Sequence, residues 1–376
     1  MTEPFRFLHS ADLHLGRRFG NMPEVLRGRL VEARHGILGR LATAARETGA
    51  RDILLAGDTF DTETPGDATW RQALAAMAAQ GDLRWWLLPG NHDSLAAESL
   101  WSRLAAQAPD GVRVLTEAAP VPLAPGVVLL PAPLPRRRPG RDLTDWMAAA
   151  ETPPGALRLG LAHGAVHDFT EGAGGADTIP PDRAETAGLA YLALGDWHGQ
   201  MRLSPRAAYA GTPEAIGFRH AGRGACLAVT LNGSAPPTIT RVETGQFHWQ
   251  EAALPLVPGQ DGPAALSALT PADAAARRDH LLRVVAQGRA TLADQQALRD
   301  AAEAIAPDFA WFDLDTRALE TEIAAGDLDA LDLGGALRHA AQILADRAQD
   351  AALAEAERRI AAGALNRLYA TLRETQ

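Results

Sequence analysis

Five short stretches of this 376-residue chain set carboxylates, imidazoles and an amide directly after apolar runs. They are Asp12-Leu13-His14, Gly57-Asp58, Gly90-Asn91-His92-Asp93, Ala162-His163-Gly164 and Gly195-Asp196-Trp197-His198-Gly199. Carboxylate oxygen, imidazole nitrogen and amide oxygen in one set suit a divalent ion of the Mn2+, Fe2+ or Zn2+ kind. Glycine beside each group lets the backbone turn sharply and leaves space for a substrate. A lone Asp-x-His is weak, because such residues fall near strand ends by chance. Gly-Asn-His-Asp is stronger, since it sets an amide ligand beside a candidate acid. All five in this order, each after an expected strand, point to one metal-dependent site.

Such residues act together only where the fold brings them to one place. Residues 5–9 (FRFLH), 52–58 (DILLAGD) and 85–91 (WWLLPGN) read as buried strands, and residues 24–48 and 68–79 carry alanine and leucine at helical spacing. This β-α-β-α-β rhythm implies a largely parallel sheet covered by helices. Strand C-termini of such a sheet open on a common crevice, where Asp12, Asp58 and Asn91 are expected to meet. Further strands are expected at residues 127–130, 157–163, 189–194, 207–210, 226–231 and 238–242, with helices scarcer after residue 130. Proline and glycine break all periodicity at residues 254–263. Beyond them, residues 280–285 and 308–315 read as two strands around a helix at 292–304. Residues 335–373 read as one or two helices with apolar positions Leu353, Ile360, Ala364, Leu368 and Leu372.

Composition narrows the chemistry. All 36 basic residues are arginine, so neither a Schiff-base lysine nor a Walker-type phosphate-binding lysine is available. Cationic work falls to guanidinium groups, which grip phosphate in a two-pronged geometry. GC-biased coding also yields chains rich in arginine and alanine. The net charge of −10 argues against a nucleic-acid binder held by bulk charge, though not against an enzyme that meets a phosphate backbone through metal ions. The charge is uneven: residues 1–250 carry 24 Arg against 26 acids, net −2, and residues 251–376 carry 12 against 20, net −8. With Cys226 as the sole cysteine, no internal disulfide can form. No apolar run reaches the ~18 residues of a membrane span, and the first ten residues lack the apolar centre of a signal peptide. The cytoplasm is the expected compartment.

The five motifs resemble those of the calcineurin-like metallophosphoesterases, and within them the nuclease subunits of bacterial SbcCD-type DNA repair complexes. The likeness rests on ADLHLG (11–16), GDTFDTETP (57–65), GNHDS (90–94), the His163 strand and GDWHG (195–199). YAGTPEAIGF (209–218) and TGQFHWQEAALPL (244–256) add to it, so that it covers roughly residues 5–315. It implies an α/β fold: a four-layer αββα sandwich over residues 1–255, a small α/β capping domain over 256–325 and C-terminal helices over 326–376. It further implies two divalent ions, Mn2+ foremost, with Fe2+, Mg2+ or Zn2+ as alternatives. Asp12, His14, Asp58 and His198 would hold the first, and Asp58, Asn91, His163 and Asp196 the second. A water between the ions would attack a DNA phosphodiester in line, as exonuclease or endonuclease. His92 would act as general acid or transition-state stabiliser, and Asp93 would orient a ligand or the His92 ring. One departure stands out. The family's Gly-His-x-His is here Gly-Asp-Trp-His, so Asp196 offers a carboxylate that favours a harder ion such as Mn2+, or else weakens the second site.

Several residues keep two readings. Arg17 and Arg18 either reach substrate phosphates or are solvated loop residues, and so do Arg136, Arg137, Arg138 and Arg141 in a proline-bounded loop. Trp197 either stacks on a base or walls the metal site, Asp61 fits as a partner behind the ligands, and His167 stays open. His9, His35, His220, His248, His280 and His339 lack motif context and read as structural or exposed; Cys226 reads as core. By the same resemblance the C-terminal helices would dock on an SbcC-type, SMC-like ATPase, unless their apolar stripe packs on the capping domain. A homodimer is open, and no membrane association is expected. Two other functions remain: a phosphatase or phosphodiesterase for small phosphoesters or nucleotides, and a DNA-binding scaffold whose Asp196 has cost the activity.

Overall fold

The motif-bearing runs form as β1 (Phe5–Ser10), β2 (Asp52–Leu55) and β3 (Arg84–Leu87), separated by α1 (Glu24–His35), α2 (Ile37–Thr48) and α3 (Asp67–Ala78). After them, α4 (Glu98–Gln107) leads to β4 (Val112–Val114). The computed structural model describes residues 4–166, 175–322 and 335–374, so His167 lies outside the described residues. Its contacts divide the chain into residues 1–248 and 249–376.

In the first unit β1, β2, β3 and β4 pair in parallel, as the alternation with helices requires. A second sheet follows: β5 (Val121–Ala124), β6 (Val127–Ala132), then β7 (Leu157–His163) after the short α5 (Trp146–Ala149). After α6 (Arg183–Thr186) come β8 (Tyr191–Gly195), β9 (Met201–Ser204) and β10 (Ala207–Tyr209). Its order is β5-β6-β7-β8-β10-β9, parallel inside and antiparallel at both edges. The chain then returns through β11 (Gly222–Leu231), antiparallel to β1, into the long β12 (Thr238–Leu256).

Period-two alternation explains why these strands read as continuous apolar runs. Phe7, Leu54 and Trp86 of the first sheet and Leu129, Leu159, Leu161 and Tyr191 of the second share one buried cluster between the sheets. Their neighbours Leu8, Ile53, Leu55, Trp85 and Leu87 face the other way, into a cluster with Leu38 and Leu41 of α2 and Trp70 of α3. Val128, Leu130, Leu192 and Leu194 of the second sheet face a third cluster with Met147 of α5 and Ala184 of α6. Helix, sheet, sheet, helix is the resulting order of layers, as expected.

The second unit takes the remainder of β12, then α7 (Gly262–Ala268), α8 (Ala274–Arg277), β13 (His280–Thr291), α9 (Leu292–Ile305) and β14 (Trp311–Glu322). β13 and β14 pair in parallel from Leu281↔Trp311 to Thr291↔Glu322 with α9 as their crossover. Thr291 and Asp294 cap that helix reciprocally, which explains its sharp start. The helical tail is a pair, α10 (Ala336–Gln349) and α11 (Glu355–Glu374). Its buried positions are Ala341, Ala345 and Leu365, packed with Leu292 and joined by Leu368, whereas Ile360 is 72% exposed. The buried stripe of α11 is therefore turned from the expected one: Ala361, Leu365 and Leu368 lie inside and Ile360 outside. No described helix is long and apolar enough to cross a membrane.

Because Leu54 is wholly buried between the sheets, Leu54→Ala is expected to cost about 2–5 kcal/mol of stability. Urea unfolding monitored by tryptophan fluorescence reads this, with Val25→Ala at an 88% exposed position expected within about 0.5 kcal/mol of the parent.

Candidate metal centre

Each motif sits where a strand ends. Asp12 and His14 follow β1, Asp58 follows β2, Asn91 and His92 follow β3, His163 ends β7, and Asp196 and His198 follow β8. The backbone there is strained. Among the described residues five non-glycine positions have positive φ: Asp12 (55°), His14 (46°), Phe19 (50°), Asp58 (53°) and Asp196 (105°). Each such residue costs on the order of 1–3 kcal/mol and persists only where its surroundings impose it. Four of the five are residues whose side chains meet in one crevice.

Two groups of donor atoms face one another across Asp58. On one side His14 Nε2 and His198 Nε2 lie 3.1 Å apart. His14 Nε2 is also 3.8 Å from Asp58 Oδ2, and His198 Nε2 is 3.8 Å from Asp12 Oδ1. On the other side His163 Nε2 is 3.6 Å from Asp58 Oδ1 and 3.8 Å from Asp196 Oδ1, and Asn91 Nδ2 donates to Asp196 Oδ1 at 2.9 Å. Ligand atoms around an ion with bonds of about 2.0–2.2 Å stand roughly 3.0–3.4 Å apart. The His14–His198 spacing falls in this range and the imidazole–carboxylate ones, at 3.6–3.8 Å, are slightly wider, as suits such an ion. Two buried polar atoms also lack any hydrogen-bond partner, His163 Nε2 and Asn91 Oδ1, and a cation that displaced the His163 proton would satisfy both. Three sets of donor atoms among the described residues lie close enough to hold a metal: Asp12, His14 and His198; Asp12, Asp58 and His163; and His14, Asp61 and His92.

Charge favours the same conclusion. Burial raises the Asp12 carboxyl well above its ordinary range, with Asp58 and Asp196 adding to the rise, and burial raises Asp196 too. His14 is lowered by burial, and His198 falls to about 3 through burial and the positive neighbours His14, His220 and Arg17. Both imidazoles are then neutral, as metal ligation requires. His163 is the exception: burial lowers it, but Asp58, Asp12 and Asp196 outweigh that and raise it to about 9. The crevice gathers anionic groups whose natural counterweight is a cation.

Neighbouring atoms set the orientation of these side chains. A Cβ at Gly57 would stand 2.2 Å from His163 Nδ1 and one at Gly90 2.2 Å from Asp58 Oδ1, so only glycine fits beside these groups. His163 Nδ1 lies 2.8 Å from the Ala56 carbonyl, which can only accept, so Nε2 is turned to the crevice. Thr212 Oγ1 donates to the Asp12 carbonyl at 2.9 Å. Asp61 Oδ1 is 3.2 Å from His14 Nδ1 and accepts from Arg17 Nη1 at 3.3 Å. His92 donates its backbone N–H to Asp58 Oδ1 at 2.8 Å, and its Nδ1 lies 3.0 Å from the Asp61 carbonyl. Asp61 thus orients both rings. Asp93 is wholly buried and faces elsewhere: its oxygens accept from the backbone N–H of Phe60 at 2.9 Å and of Gly90 at 2.7 Å. Burial, with Asp58 nearby, pushes it up to about 7.

Other residues named from sequence lie as follows. Arg18, Arg136, Arg137, Arg138 and Arg141 are exposed, whereas Arg17 is half-buried. Trp197 packs at the edge of the outer cluster, with His220 edge-on at 5.0 Å and Arg219 over its ring at 5.4 Å. His9 is structural, within 3.0 Å of Tyr191 Oη and 3.1 Å of the Leu194 carbonyl, and Cys226 is core, its thiol pushed up to about 12 by burial. Sequence reasoning missed Arg34 and Glu214. Wholly buried, Arg34 donates to the Leu13 carbonyl, between two candidate ligands, and to the Glu214 and Ala215 carbonyls at 2.6 and 3.2 Å. Glu214 accepts from Arg40 at 2.6 Å and from the Gln246 and Phe247 backbone at 2.7 and 3.2 Å. A signal existed, because Arg34 follows Leu26, Leu30 and Ala33 on the buried face of α1.

Comparisons with known proteins agree with this reading. Residues 5–177 match the family model described as calcineurin-like phosphoesterase. Over 289 residues the chain is 26% identical to the SbcD component of the nuclease SbcCD of Bacillus subtilis, spanning 66% of this chain and 69% of that protein. Over 278 residues it is 24% identical to the uncharacterized metallophosphoesterase YhaO of the same bacterium, spanning 68% of this chain and 64% of that one. Among solved structures, TT1561 of Thermus thermophilus is distantly similar, with a TM-score of 0.37 and 11% identity over 64% of this chain and 99% of that one. Residues 5–177 thus form a calcineurin-like metallophosphoesterase domain, of a family whose chemistry is hydrolytic and metal-dependent.

Proposed function

We propose that this chain is a two-metal phosphodiesterase acting on DNA. The observation that supports it best is the Asp58 carboxylate, with Oδ2 toward His14 and Oδ1 toward His163, as a bridge between two ions would stand. Asp12, His14, Asp58 and His198 would hold one ion, and Asp58, Asn91, His163 and Asp196 the other. Two such ions, when bound, neutralise phosphoryl oxygens and acidify a water. The carboxylate at Asp196 favours Mn2+ over Zn2+.

The chain's own groups do the rest. With Nδ1 held at the Asp61 carbonyl, the other nitrogen of His92 is the one to meet the scissile phosphate, as donor to a leaving oxygen or to a transition-state oxygen. Asp93 acts by tying the loops after β2 and β3 together rather than by touching the reacting atoms. Arg17, half-buried beside Asp61, is the arginine best placed to meet a substrate phosphate, with Arg18 and the exposed Arg136, Arg137 and Arg138 as outer contacts. DNA as substrate is supported by the likeness to a nuclease component and by the near-neutral residues 1–250. A large ATPase partner on the C-terminal helices is supported by three exposed apolar side chains there, Leu337, Ile343 and Ile360.

Purified protein with Mn2+ is expected to cleave linear DNA, with all activity lost in excess EDTA and restored by Mn2+. Cleavage of a nitrophenyl phosphodiester without cleavage of linear or closed-circular DNA would overturn the substrate assignment and leave the small-phosphoester reading. His92→Ala is expected to lower kcat by about 10²–10⁴ with bound metal unchanged, because it removes proton transfer and none of the seven proposed ligands; a loss of metal would instead place His92 among the ligands with His14 and Asp61. Asp196→Ala should lower both metal content and rate; unchanged metal by mass spectrometry together with an unchanged rate would remove it from the ligand set.

A further inference from the structure

The second unit contains a groove of about 1260 Å3 between β14, α9 and α11. Six guanidinium groups line it: Arg289, Arg299, Arg317, Arg358, Arg359 and Arg367. Three acids line it with them, Glu320, Glu322 and Glu355. Residues 251–376 hold 12 arginines and 20 acids, so half of the arginines and three of the acids face one concavity. The residues lining this concavity thus carry a formal charge of +3 within a segment of net −8.

Two of these arginines are neutralised, Arg289 by Glu320 at 3.1 Å and Arg317 by Asp315. Among the described residues no ion pair or hydrogen bond engages the guanidinium groups of Arg299, Arg358, Arg359 or Arg367. Arg299 Nη2 and Arg358 Nε are buried without a hydrogen-bond partner, as is Asn366 Oδ1. Buried donors left so are destabilising unless a ligand takes them up. The polar floor is fixed: Asn366 Nδ2 and Gln295 Nε2 both donate to Thr321 Oγ1, at 2.9 and 3.1 Å. No described lining residue is aromatic, so no ring is available to stack a base, and recognition falls to charge. Guanidinium forks match phosphate oxygens in pairs. The volume exceeds the ~300–1,000 Å3 of ordinary small-molecule sites, which suits an extended anion better than a single phosphate.

We propose that this groove is a binding site for a run of linked phosphates, made wholly by the second unit and needing no metal ion. Its source is either a free polyphosphate chain or a nucleic-acid backbone, which present the same chemistry. The test titrates the full chain, in EDTA, with inorganic tripolyphosphate by calorimetry. Saturable binding is expected, weakened about tenfold or more in Arg299→Gln/Arg358→Gln and unchanged in Arg347→Gln on α10 outside the groove. Hydrolysis of a nitrophenyl phosphodiester with Mn2+ should be the same in all three proteins. Arg359→Gln, an exposed position, repeats the loss in milder form should the double variant melt early. Absence of binding, or equal binding in parent and groove variants, overturns the proposal. Competition by a short DNA duplex assigns the site to a nucleic-acid backbone, and no competition assigns it to free polyphosphate, either result upholding the groove.

Discussion

Three carboxylates, Asp12, Asp58 and Asp196, are brought into one crevice largely shielded from water, and the rest of the first unit is arranged around that constraint. Anionic groups so placed repel one another and lose hydration, which a fold tolerates only with a compensating cation. Imidazoles kept neutral by burial, an amide oxygen without a donor and four residues in left-handed backbone are consequences of the same arrangement. A chain with no such ion to hold would gain stability by relaxing every one of these features.

Two sheets are needed because no single one supplies all the groups. The first presents Asp12, His14, Asp58, Asn91 and His92 after parallel strands, and the second presents His163, Asp196 and His198. Alternating side chains lock the sheets together through Phe7, Leu54, Leu159 and Leu161, so the donors from each are held in register. The loops themselves are stiffened by buried charge. Arg34 on the Leu13 carbonyl, and Glu214 gathering Arg40 with two backbone N–H groups, join the first ligand loop to the turn at residues 212–215. Removing one partner of such a network leaves an unpaired buried charge, which explains why it is built of several bonds to each group.

The acidity of residues 251–376 takes on a different meaning once the side chains are placed. Three acids line the groove of the second unit, while half of the arginines of residues 251–376 gather along β13, α9, β14 and α11. A net charge of −8 would by itself disfavour an anionic ligand in this segment, yet local potential follows geometry and not the sum.

The seven candidate ligands, the alternation of strands with helices and the βαβ pattern of residues 280–322 were legible in the sequence. Each is a local matter: a strand ends where its apolar run meets Gly-Asp or Gly-Asn, whatever the rest of the chain does. The short edge strands β4, β5 and β9 were not, because three or four residues carry too little periodicity to show. Nor was the facing of α11, where an alanine-rich helix left the choice of stripe to Leu292 and α10. Asp61 rather than Asp93 orienting His92, the reach of Arg34 to Leu13, and six arginines from four elements meeting in one groove depend on contacts between residues far apart in the chain. Sequence by itself determined which groups are present and which strand end carries each. Tertiary structure decided which of them face one another, because spacing along a chain sets local geometry while distances across a fold are set by packing.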